Sequence, residues 1–249
     1  MIPTPIQSAL VTLRRHQVES LLLGGQASIL YGGAEFSRDL DLMLAATPAS
    51  LPNLERAPTD LDATLIAVPP LRFDLLDRGH AVHFRCRRSD VAGLRLDLMT
   101  RPPRLPDVAA VWRRRVEIAL DGGPVAVIAL EDLVQTKKTQ RDKDWPIIGA
   151  LIEADIVRHR DDPAGDRTHF WLREARGADE LIELASAFPE VAEVVRQVRP
   201  LIGAAQQRDR NTLELELARE QIRGKQADRA YWEPLRTELE QMRHEQRRG

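Results

Sequence analysis

The chain has 249 residues, 43% of them hydrophobic, a length and composition that suit one large soluble domain or two smaller ones. Its formal net charge of −2 creates no overall field toward nucleic acid or an anionic membrane, and its single cysteine, Cys86, excludes an internal disulfide and a cysteine-rich zinc site. Residues 1–10 lack a basic stretch followed by a long apolar run, and no apolar run approaches the roughly 20 residues of a membrane span, so we expect a cytoplasmic protein.

The first predicted elements are a helix, a strand and a glycine-marked turn. Residues 6–18 have the pattern of an amphipathic helix, and the apolar run at 20–24 has that of a buried strand. Gly24 and Gly25 end this strand and precede a segment, 26–31, that can be helical. Glycine lets the backbone approach a ligand closely, and a helix that begins there offers free N–H groups to an anion. The turn therefore predicts a phosphate-sized gap, with an ordinary strand-to-helix turn as the alternative.

The next predicted strand, 39–44, carries two carboxylates. Its leucines alternate with Asp39 and Asp41, which predicts that the leucines face the core and the aspartates share the other face. Two carboxylates about 6–7 Å apart on one face repel each other unless a cation lies between them. Mg²⁺ is usually held by one or two carboxylates together with substrate phosphates. The pair therefore predicts a metal site, with two solvated surface aspartates as the alternative.

The rest of the chain divides into a strand-rich part and a helical part. We expect strands near 63–68, 81–87, 93–99 and 124–129, and helices at 71–78 and 107–119. His80 and His83 lie near the start of the strand at 81–87 with a spacing that puts them on opposite faces, so we interpret them as structural or exposed. From Leu130 onward the sequence indicates helices. The thin apolar stripe of 211–249 favours a helical hairpin or a helix that faces a partner.

One motif in the first half resembles a known family. Gly24-Gly25 followed by Ser37-Arg38-Asp39-Leu40-Asp41 is similar to the signature of the DNA polymerase beta-type nucleotidyltransferases. Within that superfamily it most resembles the small bacterial enzymes of the abortive-infection and toxin–antitoxin group. The resemblance extends over about residues 1–150. It implies an α/β (α+β) fold, with a mixed-sheet nucleotidyltransferase core at 1–129 followed by a helical C-terminal region at 130–249.

The resemblance also implies a third carboxylate on a later strand. In the strand predicted at 93–99, the leucines point to one side and Asp97 points to the other. Asp97 is therefore the candidate third carboxylate. Asp90, in a turn-like stretch before Gly93, is a weaker candidate.

A basic segment at 131–144 resembles the helix that follows the catalytic core in these enzymes. On one continuous helix, Lys137, Arg141 and Asp144 would form a single stripe. Lys137 and Arg141 are therefore candidate ligands of a triphosphate, with a solvated salt-bridge face as the alternative.

The chemistry implied by the resemblance is transfer of a nucleoside monophosphate from a nucleoside triphosphate such as ATP. Such an enzyme uses two Mg²⁺ ions, with Mn²⁺ as an alternative, and in-line attack of an acceptor hydroxyl on the α-phosphate releases pyrophosphate. The residues with implied roles are, as catalytic groups and metal ligands, Asp39, Asp41 and Asp97, and, as nucleotide ligands, Gly24, Gly25, Ser37, Lys137 and Arg141.

The chain departs from the family pattern at one position. Members of the toxin-like group often carry an arginine two residues before the serine that precedes the aspartates, where this chain has Glu35. That departure favours a second hypothesis, a catalytically degenerate protein that binds nucleotide or a protein partner. A third is an interaction module built on the polar C-terminal helices. The acceptor stays open among RNA, protein and small molecules, and the resemblance adds an antitoxin protein as a candidate partner.

Overall fold

The fold is built on a seven-stranded mixed sheet with the strand order β3-β4-β5-β2-β1-β7-β6. The computed structural model describes residues 3–34, 36–161, 163 and 166–248. The strands are β1 (Ser20–Leu23), β2 (Asp39–Leu44), β3 (Ala63–Leu65), β4 (Val82–Cys86), β5 (Arg95–Met99), β6 (Val116–Leu120) and β7 (Gly123–Val127). The mixed sheet expected from the sequence is confirmed.

The centre of the sheet is the most apolar part of the chain. Strand β2 pairs antiparallel with β1 on one side and parallel with β5 on the other. The leucines of β1 and the even-numbered leucines of β2 are almost completely buried. Burial on both sides of a central strand favours such continuous apolar runs. The polar side chains of β2 and β5 are therefore held on a rigid support.

Helices make up most of the second half of the chain. They are α1 (Thr4–Arg15), α2 (Gly24–Leu30), α3 (Leu51–Asp60), α4 (Phe73–Asp77), α5 (Val108–Arg114), α6 (Leu130–Lys137), α7 (Asp144–His159), α8 (Arg167–Glu174), α9 (Ala178–Ala187), α10 (Pro189–Arg196), α11 (Ile202–Gln206) and α12 (Arg210–Gln246). A short 3₁₀ helix, 48–50, precedes α3. None of the helices in the described part of the chain is long and apolar enough to cross a membrane.

The single helix predicted at 107–119 is wrong, because this stretch forms α5 and then β6. Asp107 caps α5 by accepting a hydrogen bond from the backbone N–H of Ala110 at 2.9 Å. The backbone leaves the helical region at Arg115, where ψ is 154°, and the Arg115 guanidinium lies 4.7 Å from the centre of the Trp112 ring. Strand β6 then pairs along its whole length with β7. Pairing with a neighbouring strand thus overrides the local helical pattern.

The continuous helix predicted at 131–144 is also wrong. Helix α6 ends at Lys137 and α7 begins at Asp144, so Arg141 lies in the connecting loop. The Asp144 carboxylate accepts hydrogen bonds from Thr139 Oγ1 at 2.5 Å and from Arg141 Nε at 2.7 Å. The indole N–H of Trp145 donates to the Thr139 carbonyl at 2.8 Å. These contacts hold the loop against the start of α7, which is why the predicted stripe of Lys137, Arg141 and Asp144 does not form.

The chain separates into two compact units. One contains the sheet and comprises the described residues within 1–30, 35–136 and 231–249; the other is helical and comprises 31–34 and 137–230. Helix α12 is one element of 37 residues that contributes to both units. Of the two alternatives predicted for 211–249, the helical hairpin is therefore wrong, and a helix that faces a partner stays a prediction. The division of the chain into domains at 1–129 and 130–249 stays a prediction.

Candidate active site

Strand β2 has one buried apolar face and one face that carries Asp39 and Asp41. Leu40 and Leu42 are completely buried, whereas Asp39 and Asp41 are partly exposed. Residues two apart on a strand share a face. The predicted sharing of one strand face by both aspartates is therefore confirmed, although their role as metal ligands stays a prediction.

Asp97 lies beside this pair on the neighbouring strand. In the parallel ladder between β2 and β5, Asp97 is the partner of Asp41, and Arg95 is the partner of Asp39. Leu96 and Leu98, on the opposite face of β5, are completely buried. Neighbouring strands are about 4.8 Å apart, so the carboxylates of Asp41 and Asp97 are close neighbours on one face. The strand and the face predicted for Asp97 are both observed.

The two glycines after β1 have little space around them. Gly24 has a φ of +68°, and a Cβ atom placed on it would overlap the carboxylate of Asp41. A Cβ atom on Gly25 would overlap the side chain of Ser37. Only glycine fits the first position, because its backbone conformation is unfavourable for other residues and a side chain would displace the carboxylate. The glycines thus bring the backbone against the side chains of Asp41 and Ser37.

The loop before β2 is fixed by a buried amide. Gln26 is completely buried in α2, and its Nε2 donates to the Ser37 carbonyl at 2.9 Å. Ser28 Oγ donates to the Gly24 carbonyl at 2.8 Å. The backbone on which Ser37 and Asp39 lie is therefore held by α2. Helix α2 has only seven residues. Its dipole therefore contributes less to the binding of an anion at Gly24 and Gly25 than the sequence predicted.

Two further residues, which the sequence did not identify as part of the site, contact Asp97. His83 Nδ1 lies 2.8 Å from Oδ1 of Asp97, and Arg95 Nε donates to the same oxygen at 2.8 Å. Arg95 Nη2 also lies 3.2 Å from His83 Nδ1. In the antiparallel ladder between β4 and β5, His83 is the direct partner of Asp97. The prediction that His83 is structural or exposed therefore missed its contact with the candidate third carboxylate.

The electrostatics of Asp97 and Arg95 follow from these contacts. Burial acts to raise the pKa of Asp97, but the hydrogen bonds from His83 and Arg95 outweigh it, so the pKa lies below its ordinary value. The hydrogen bond to Asp97 raises the pKa of Arg95, and the charges of Asp39 and Asp41 add to this effect. Arg95 is thus surrounded by negative charge, and the carboxylate of Asp97 is kept ionised.

The carboxylates can be compared with what a divalent cation requires. Within the described part of the chain, no group of three or more His, Cys, Asp or Glu side chains is arranged to hold a metal ion. Asp39 and Asp41 nevertheless supply two oxygen-donor side chains on one face, which is the number that Mg²⁺ commonly takes when phosphates complete its coordination. The Gly24 backbone lies directly against the Asp41 carboxylate, because a Cβ atom on Gly24 would overlap it. The pair therefore fits a metal that arrives with a phosphate ligand.

Two further candidate residues, Lys137 and Arg141, belong to the helical unit. Lys137 is the buried last residue of α6, and Arg141 is bound to Asp144 in the loop that follows. Their roles as nucleotide ligands stay predictions. Glu35, on which the doubt about activity rested, lies outside the described residues.

Comparisons with known proteins place the chain near nucleotidyltransferase-like structures at low similarity. No family model matches the sequence, and the search of curated proteins finds no match. An antigenic nucleotidyltransferase-like protein from Paracoccidioides brasiliensis aligns with 14% identity and a TM-score of 0.43, over 77% of this chain and 92% of that one. The antibiotic-resistance factor ANT(2'')-Ia aligns with 16% identity and a TM-score of 0.38, over 79% and 95%. JHP933 from Helicobacter pylori aligns with 15% identity and a TM-score of 0.37, over 86% and 91%. Similarity at this level does not establish a shared activity, so a functional assignment has to rest on the side chains of the site.

Proposed function

We propose that this protein is a Mg²⁺-dependent nucleotidyltransferase that moves a nucleoside monophosphate from a nucleoside triphosphate to an acceptor hydroxyl. The observation that carries the proposal is the position of Asp41 between the Gly24 backbone and Asp97 on the neighbouring strand. A phosphate chain and a divalent cation need a close backbone approach and convergent carboxylates in one place. The acceptor is an RNA, a protein or a small molecule.

Each residue has a distinct task in this proposal. Asp39 and Asp41 would hold the metal that binds the triphosphate. Asp97, as the third carboxylate, would bind the metal that activates the acceptor hydroxyl and would take up the hydroxyl proton. Mg²⁺, when bound, neutralises the charge that develops on the attacking and leaving oxygens. Gly24 lets the backbone lie against Asp41 and keeps the carboxylate in place, because any side chain there would displace it. Gly25 and Ser37, which lie against each other, line the same path as phosphate contacts.

A narrower form of the proposal concerns the biological setting. The Gly24-Gly25 and Asp39-Leu40-Asp41 motif resembles that of toxin–antitoxin nucleotidyltransferases. On that basis the chain is a toxin, and its protein partner is the cognate antitoxin.

A second candidate is a protein that binds nucleotide without transferring it. The observation in its favour is the ion pair between Arg95 and Asp97, because a carboxylate already bound by a guanidinium is a poorer proton acceptor. This candidate shares the binding site with the first and differs only in the chemistry.

One labelling experiment separates these candidates. Purified protein is incubated with Mg²⁺ and each of the four α-labelled nucleoside triphosphates, with total cellular RNA and lysate as sources of acceptor. The Asp41→Asn variant is the inactive comparison, and Asp121→Asn, which changes an exposed carboxylate in a turn, is the matched control. We expect label on an acceptor with the wild type and Asp121→Asn only.

The outcomes lead to different conclusions. Transfer that persists in Asp41→Asn would contradict the assignment of the site. Absence of transfer in every reaction, together with Mg²⁺-dependent nucleotide binding in calorimetry, would favour the second candidate. Label on RNA, on protein or on a small molecule would identify the acceptor class.

A further inference from the structure

We infer that Arg95 and His83 form a clamp that positions Asp97 as the third carboxylate of the metal site. The inference rests on the proposed function and extends it to two residues with no direct role in the chemistry. The Asp97 clamp consists of His83 on β4, Arg95 on β5 and the carboxylate that they hold.

Both contacts of the clamp are made to one oxygen of Asp97. Both His83 Nδ1 and Arg95 Nε reach Oδ1 of Asp97, each at 2.8 Å. No hydrogen bond to Oδ2 of Asp97 is found from any residue that the structure describes. One oxygen is therefore used for support and the other stays available to a ligand. Carboxylates that bind metals are commonly held by outer-shell hydrogen bonds in this way.

The clamp offsets the repulsion between the carboxylates of Asp41 and Asp97. Asp97 is the ladder partner of Asp41, and its side chain is only 10% exposed. Two ionised carboxylates on adjacent strands disfavour each other, so one of them would turn away or become protonated in the absence of a cation. The guanidinium of Arg95, two residues before Asp97 on the same strand face, supplies that cation within the protein.

The three side chains of the clamp are in mutual contact. Arg95 Nη2 lies 3.2 Å from His83 Nδ1, the nitrogen that donates to Asp97, so this contact is one of packing and not a second hydrogen bond. The guanidinium is planar and rigid, so the Nε–H bond to Asp97 also fixes Nη2 beside the His83 ring, whereas an ammonium on a flexible stem has no such fixed geometry. The arrangement restricts the rotamer of Asp97 before any ligand binds, and preorganisation of this kind is what a catalytic carboxylate needs.

The test measures binding of Mn²⁺ alone to the full-length chain, from the loss of the free-ion electron paramagnetic resonance signal. Arg95→Gln is compared with the wild type, and Arg85→Gln is the matched control. Arg85 is the ladder partner of Arg95 on β4, and it donates to the Gly93 carbonyl at 3.0 Å instead of to Asp97. We expect Arg95→Gln to weaken Mn²⁺ binding by about 10- to 100-fold, and Arg85→Gln to change it by less than about threefold.

A double-mutant cycle tests whether Arg95 acts through Asp97. In an Asp97→Asn background, Arg95→Gln should change the Mn²⁺ affinity by less than about twofold, because the carboxylate to be positioned is gone. Arg95→Lys keeps the positive charge but lacks the planar guanidinium, so its Mn²⁺ affinity should lie between those of the wild type and Arg95→Gln. Thermal melting will show whether Arg95→Gln is folded. If it is not, the Mn²⁺ affinity of Arg95→Lys tests the clamp in its place.

Failure of the inference differs from failure of the proposed function. If the wild type binds Mn²⁺ through Asp41 and Arg95→Gln binds it equally well or more tightly, the clamp is wrong and the metal site stands. Tighter binding would mean that Arg95 competes with the metal. If the wild type binds no Mn²⁺ in the absence of nucleotide, the clamp is overturned, whereas the metal-dependent function is decided by the labelling experiment, in which the metal arrives with the nucleotide.

Discussion

Gly24 shows how the absence of one side chain can determine the shape of a site. Its φ of +68° and its contact with the Asp41 carboxylate each exclude a larger residue. The first requirement concerns the backbone alone, whereas the second concerns the site. The two can be separated because the chain has another glycine with the first requirement only.

We predict that Gly24→Ala lowers both the folding stability and the nucleotide binding of the protein, whereas Gly93→Ala lowers the folding stability alone. Gly93 has a φ of +83°, and a Cβ atom placed on it would have no neighbour within 4 Å. Alanine in the left-handed region costs about 1–2 kcal/mol of folding free energy at either position. Only Gly24→Ala also displaces Asp41, so it alone should abolish metal-dependent nucleotide binding. Urea denaturation and calorimetry would check the two effects; equal nucleotide binding by both variants would contradict the role given to Gly24.

The residues of the site were only partly predictable from the sequence. Asp39, Asp41 and Asp97 could be placed on strand faces because alternation with buried leucines is a local signal. The contact of His83 with Asp97 was not readable, because it depends on which strands become neighbours and in what register. The available signal was that His83 alternates with the buried Val82 and Phe84, which puts it on the polar face of β4.

Among the elements, the helical unit is held together by a buried charge cluster. Arg199 in the turn before α11 donates to both carboxylate oxygens of Glu220 on α12, at 3.1 and 2.9 Å. Arg176 donates to Glu220 at 2.8 Å. The side chains of Arg199 and Glu220 are 7% and 23% exposed. Loss of the Glu220 carboxylate would leave two largely buried guanidinium groups without this negatively charged partner. Removal of one partner of a buried ion pair strongly destabilises the folded protein.

We predict that Glu220→Gln destabilises the protein at neutral pH by about 3 kcal/mol. Burial acts to raise the pKa of Glu220, but the hydrogen bonds and charges of Arg199 and Arg176 bring it below the ordinary value of 4.5. A carboxyl group whose pKa is lowered by folding contributes stability above its unfolded pKa and loses it as the pH falls through the folded pKa. The difference between the wild type and Glu220→Gln should therefore shrink as the pH falls below about 4.5.

Urea denaturation at several pH values measures this difference. The control is Glu193→Gln, which breaks an exposed pair with Arg196 at 2.7 Å. It should change the free energy of unfolding by less than about 1 kcal/mol. A Glu220→Gln effect as small as that of the control, or one that does not depend on pH, would contradict the account of the cluster.

The points where one element gives way to a different one were harder to predict than strands with a regular alternation. Strand β2 has the predicted bounds because a strict alternation of apolar residues leaves little choice of register. The division of 107–119 into α5 and β6, and that of 131–144 into α6, a loop and α7, depend on partners distant in sequence or on side-chain contacts. Local pattern does not contain that information, so both were predicted as single helices.

At the scale of the whole molecule, helix α12 belongs to both units. Its first part contributes Leu213 and Leu217 to the helical unit, and its last part contributes buried Leu235 to the unit that contains the sheet. There Glu238 lies 2.8 Å from Nε2 of the buried His80, and Tyr231 donates to the Arg101 carbonyl at 2.9 Å. The thin apolar stripe seen in the sequence therefore consists of separate buried leucines along one helix. A pattern with so few apolar residues fits a helical hairpin equally well, so the sequence could not distinguish the two arrangements.

The full-length chain offers a direct test of the central claim, that the carboxylates of β2 hold a metal–nucleotide complex. The measurement is calorimetric titration of each nucleoside triphosphate into the protein, with and without Mg²⁺, for the wild type, Asp41→Asn and Asp121→Asn. We predict binding of at least one nucleotide by the wild type and Asp121→Asn that requires Mg²⁺, and none by Asp41→Asn. Binding that is equal in Asp41→Asn, or that is unchanged when Mg²⁺ is removed, would contradict the claim.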